Sequence, residues 1–206
     1  MKHALLFSAA AAAALSLAGC SKPASTTAAD ATAGAGAAVS KAEDATGAAV
    51  GATSANTLGS HDTAAFVSNA SQSDMYEIQA AKIAEKRSKN ADIKAFAKMM
   101  VTDHTGTMKA MGPLVTAAGQ TPADKLDNRR HGFIDNLNKA SDADFDKTYV
   151  DQQVASHKEA LDLMNGYAKD GSDAGLKGGA ASTAPKVQMH LDKITGIQTA
   201  MASAKK

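Results

Sequence analysis

From about Asp62 to Ala202 the apolar residues recur every three or four positions, and no stretch sustains an alternation of two. A chain patterned this way buries one stripe of each helix against its neighbours and has no strand with which to build a sheet. The fold class is therefore all-α. The expected arrangement is an up-down bundle of four long helices with an extra short helix in the middle crossover, because short connections turn successive helices back on one another.

The first long helix is expected from about Asp62 to Arg87, with Ser60 as its cap and Phe66, Ala70, Ala80, Ala81 and Ala84 on its apolar face. The second starts at Asn90, a good capping residue, and ends at Gly119, with a kink expected at Gly112-Pro113. Pro122 marks a turn, and a short helix carries Phe133, Ile134 and Leu137. Ser141-Asp142-Ala143-Asp144 resembles a capping box that opens the third long helix, which stops at Gly171. The fourth spans about Asp173 to Ala202. Gly175, Gly178, Gly179 and Pro185 weaken its first half and leave it open to a break into two pieces.

Upstream of this domain, residues 61–206, two segments read differently. Residues 1–19 have a basic start at Lys2, a short apolar run and the ending Leu17-Ala18-Gly19 before Cys20, which is the pattern of a secretory signal peptide. Leu-Ala-Gly-Cys resembles a bacterial lipobox, so Cys20 is expected to carry the lipid that anchors an exported chain to a membrane. Ser21 in place of Asp favours the outer membrane, facing the periplasm, among the lipoproteins this ending resembles. Residues 20–60 are rich in Ala, Gly, Ser and Thr and lack aromatics, the composition of a flexible tether. Cys20 is the only cysteine, which excludes an intramolecular disulfide and any cysteine-based zinc site in the domain. Lys and Arg number 22 against 21 Asp and Glu and are interspersed, so no basic block points to nucleic acid.

Polar residues interrupt the apolar stripes in a regular way. The second long helix presents Ile93, Ala97, Met100, His104, Met111 and Val115 on one face; the third presents Val150, Val154, His157, Leu161 and Met164; the fourth presents Val187, His190, Ile194 and Ile197. In the first helix Glu77 projects about 20° from Phe66 and Ala84. Each long helix thus turns one ligand-capable side chain inward, and all four fall within roughly 3 Å of mid-height. Three imidazoles and a carboxylate suit one transition metal, Zn, Fe, Mn or Cu. A metal-free cluster in which a protonated histidine pairs with Glu77 satisfies the same pattern. Asp103, adjacent to His104, points about 100° away from it and is expected at the surface or behind a ligand.

The segments "AAKIAEKRSKNADIKAFAKMMVTDHT", "FDKTYVDQQVASHKEALDLM" and "PKVQMHL" together resemble the ferritin-like bacterial family known as domain of unknown function 4142. The resemblance implies a ferritin-like bundle and an exported, cell-envelope protein. It does not imply ferritin chemistry: Val101 and Val154 stand where a di-iron Glu-x-x-His motif needs glutamate, and the domain has only Glu77, Glu85 and Glu159. The residues favour an envelope lipoprotein that holds a metal or polar site formed by Glu77, His104, His157 and His190 and that binds its ion rather than turning over a substrate. The alternative is a non-catalytic interaction module that meets a protein partner with its surface, its inner histidines serving only packing. An oxidative-stress enzyme is a third reading, and it needs an open coordination position.

Overall fold

In a computed structural model, residues 61–204 are described and contain five α-helices and no strand. The expected signal peptide, lipid-bearing Cys20, tether and cap Ser60 lie outside the described residues. The helices are α1 (Thr63–Arg87), α2 (Ala91–Ala117), α3 (Asn128–Lys139), α4 (Phe145–Asp170) and α5 (Ala174–Ser203).

Their ends follow from local chemistry. The Asp62 carboxylate accepts from the Ala65 N–H at 2.7 Å and caps α1, and the Asn90 side chain accepts from Asp92 and Ile93 and caps α2. Gly119, at φ 67°, takes the left-handed conformation that ends α2, and its N–H bonds to the Thr116 carbonyl. Before α4, the Ser141 hydroxyl accepts from the Asp144 N–H at 3.2 Å and donates to the Asp144 carboxylate at 2.7 Å, which is half of the expected box: the carboxylate meets the hydroxyl and not the Ser141 N–H, and the residue at the cap position of α4 is Asp144. Both internal prolines are tolerated: α2 runs on through Pro113, and α5 is one continuous helix through Pro185. The expected break in α5 is absent, and one of its glycines serves contact. A Cβ on Gly179 would lie 2.8 Å from both Leu114 Cδ1 and Met111 Sδ, so this glycine lets α5 approach α2 closely.

One connection departs from the up-down expectation. Thr63 meets Tyr167, Tyr76 meets Gln152, and Arg87 lies over Phe145, so α1 and α4 are antiparallel. The hairpin α1–α2 is antiparallel too, which leaves α2 and α4 running the same way: the order is up, down, down, up. The residues between them climb α1 from one end to the other. The Ala123 N–H bonds Ser71, the Asp127 N–H bonds Gln72, Phe133 packs edge-on to Tyr76, and Arg87 donates to the carbonyls of Leu137 and Ala140. Arg130 fixes this climb, donating to Asp127 on its own segment and to Glu159 on α4. These contacts hold a connection that would otherwise have turned straight back.

The core is in two parts. One cluster contains Ala80, Ala84, Ile93, Phe96, Met100, Phe145, Tyr149, Val154, Ile194 and Ile197; the other contains Phe66, Val67, Met111, Val115, Leu163, Tyr167, Leu176 and Val187. Between them every long helix contributes a buried polar side chain: Asp74 and Glu77 from α1, His104 from α2, His157 from α4 and His190 from α5.

Candidate metal centre

The polar layer exists because each long helix turns a ligand-capable side chain into the core at the same height, and α1 turns two. Glu77, His157 and His190 are each 1% exposed and His104 is 6% exposed, so these groups answer to each other and not to water. The three imidazoles form a nearly equilateral triangle, with ring centroids 5.5 Å apart for His104–His190 and His157–His190 and 5.9 Å for His104–His157. One ligand atom from each ring lies within 4.8 Å of the others.

Each ring has one nitrogen fixed. His104 Nδ1 donates to the Asp74 carboxylate at 2.7 Å, His190 Nε2 donates to Asp103 at 2.8 Å, and His157 Nδ1 donates to the Gln153 backbone carbonyl at 2.9 Å. The other three, His104 Nε2, His157 Nε2 and His190 Nδ1, are buried with no hydrogen-bond partner. In a neutral imidazole whose N–H is committed elsewhere, the remaining nitrogen carries the lone pair. Carboxylates and a backbone carbonyl that hold the far nitrogen are the usual supports of metal-ligating histidines. An ion bound at about 2.0–2.1 Å per nitrogen places tetrahedral ligands roughly 3.4 Å apart, so the three nitrogens need only a modest contraction to receive one.

The protonation states are divided within the layer. Burial pushes His157 down to about 3, with the nearby His104 charge adding to the effect, so its ring is neutral. Burial also lowers His190, against the hydrogen bond that it donates to Asp103. For His104 burial pulls down too, but the Asp74 hydrogen bond and charge outweigh it and hold the imidazole above its ordinary value. A cation entering the triangle therefore competes with protonation at His104, the ring whose charged form Asp74 favours.

The structure brings His104, His157 and His190 together as the spacing predicts. Glu77 is in the same layer but on another side: its carboxylate lies 3.8 Å from His157 Nδ1, the nitrogen already bonded to Gln153, and it is not among the groups whose ligand atoms converge. Both Glu77 oxygens lack a partner, and burial raises the carboxyl to about 7 against the pull of His104. Two supporting residues stand outside the predicted set. Asp74 is three residues before Glu77 and therefore on the same face of α1. Asp103 does lie behind a ligand, although it supports His190 across the α2–α5 seam and not its neighbour His104; Lys186 sits 3.7 Å from it.

A family model described as Domain of unknown function (DUF4142) matches residues 48–197. The chain belongs to this family. The stretch shared with DUF4142 includes all five polar-layer residues and both aspartate supports of the histidines. Neither a curated protein nor a solved structure matches the chain. The DUF4142 assignment names no reaction, so the chemistry must be argued from the triangle itself.

Proposed function

We propose that this DUF4142 protein binds one transition-metal ion through His104, His157 and His190. The observation that carries the reading is the division of labour within each ring: one nitrogen is fixed by Asp74, Gln153 or Asp103, while the other is buried and unpartnered, in three rings whose ligand atoms come within 4.8 Å of one another. A polar layer built only for packing has no use for three empty acceptors in an apolar core, where each unmet group costs about 1–3 kcal/mol. Three imidazoles suit Zn, Fe, Mn or Cu and leave a fourth position open to water. The role is to hold the ion, not to turn over a substrate. The lengthwise crossover between α2 and α4 supports a ferritin-like arrangement of the bundle. The carrier is a lipoprotein anchored at Cys20 in the cell envelope, on the strength of the Leu-Ala-Gly-Cys ending.

Elemental analysis of the purified full chain after supplementation with each metal tests the site. One ion per chain is expected for the wild type, with none retained by His104→Ala or His157→Ala. A wild type that stays metal-free returns the layer to a metal-free cluster closed by the Asp74–His104 pair. Intact mass of the membrane-extracted chain tests the anchor: acyl mass on residue 20 is expected, and its presence in Cys20→Ser would exclude that position.

A further inference from the structure

Three carboxylates border the histidine triangle, and two of them have an answer to their charge. Asp74 receives the His104 Nδ1–H at 2.7 Å. Asp103 receives the His190 Nε2–H, has the Lys186 ammonium 3.7 Å away, and keeps 23% of its side chain in solvent. Glu77 has no such contact: it is 1% exposed, neither oxygen has a partner at hydrogen-bond distance, the basic group within ion-pair distance is His157, whose Nδ1–H is given to Gln153, and the charge that most favours its ionised form is that of His104, across the layer. The arginines on α3 are engaged elsewhere, Arg129 with Glu159 and Arg130 with Asp127 and Glu159. An isolated carboxylate in an apolar interior is expensive unless a cation stands near it.

We infer that Glu77 is an uncoordinated counter-charge that selects a divalent ion over a monovalent one at the three-histidine site. This rests on the metal-binding reading above. Glu77 stands on the Nδ1 side of His157, and an ion on Nε2 stands on the other side, roughly 7 Å away across the ring. At that separation, inside an apolar core, the attraction is weakly screened and scales directly with the charge of the ion. Whatever fold-change in affinity Glu77 gives a singly charged ion is therefore squared for a doubly charged one. The buried negative charges of Asp74 and Glu77 together balance a +2 ion on three neutral imidazoles, whereas a +1 ion leaves one of them unmatched. Glu77 is in this sense a specificity-determining residue that never touches the metal.

Zinc(II) and copper(I) provide the comparison, since both are closed-shell ions that accept imidazole and they differ in charge. Competition against chromophoric chelators, the copper arm under anaerobic conditions, gives both affinities for the full chain as wild type and Glu77→Gln. Glu77→Met is a second uncharged variant if the amide does not fold, and circular dichroism of the metal-free proteins verifies folding. Outer-sphere partners of ligands are worth roughly ten- to hundredfold in affinity. The expected result is a zinc loss near a hundredfold beside a copper(I) loss near tenfold, so that the zinc-to-copper preference falls about tenfold. Equal losses for both ions, or no loss for either, would overturn the counter-charge while leaving the three-histidine site standing. A wild type that binds neither ion overturns the site and this inference with it.

Discussion

Glu77 and His157 face one another with opposite demands on pH. Glu77 is raised from 4.5 to about 7, so the folded state binds the extra proton, and its contribution is full below 4.5 and is lost as pH rises through 7. His157 is lowered from 6.5 to about 3, so its contribution is full above 6.5 and is lost as pH falls toward 3. Between roughly 4.5 and 6.5 the two slopes cancel. Urea midpoints of the metal-free protein across pH are therefore expected to level there and to decline on both sides; His104, held up by Asp74, shares the alkaline decline, so in Glu77→Gln that decline should become shallower, and an unchanged one would show that Glu77 is not among its causes. The inward direction of His104, His157 and His190 was legible because each interrupts a run of aliphatic residues at helical spacing. Asp74 was not, because it sits in the polar run Ser71-Gln72-Ser73 where no apolar stripe marks which side faces in. Nor could spacing tell which side of His157 Glu77 would occupy, since that depends on the packing of α1 against α4.

At the scale of elements, adjacent glycines in α5 have different reasons to be there. Nothing lies within 4 Å of a Cβ added at Gly178, whereas Gly179 sits against Leu114 and Met111. Gly178→Ala is expected to stabilise the protein by about 0.4–1 kcal/mol through lost freedom of the unfolded chain. Gly179→Val is expected to destabilise it by about 1–3 kcal/mol through overpacking at the α2–α5 seam. Denaturant melts of the two variants check the pair, and similar shifts in the same direction would contradict the close approach. Sequence composition sees two poor helix formers and therefore a weak helix; the contact that makes one of them necessary is with α2, far away in the chain. The crossover was illegible for a related reason. Its helix was marked by Phe133, Ile134 and Leu137, but its course along α1 is set by Arg87, Arg130, Ser71 and Gln72, whose partners only tertiary structure supplies.

At the largest scale, the described residues make two hairpins, α1–α2 and α4–α5, held together at mid-height by the polar layer and along one side by the crossover. All-α character and the heights of the inward histidines could be read from periodicity because helix rise is constant. The parallel course of α2 and α4 could not, since periodicity carries no direction. The triangle draws His104 from the first hairpin and His157 and His190 from the second. Neither hairpin alone holds more than two of the site's rings. The proposed three-ligand site is then complete only once the hairpins dock, so loading cannot precede folding: an ion met by the chain while still unfolded finds no finished cage to enter.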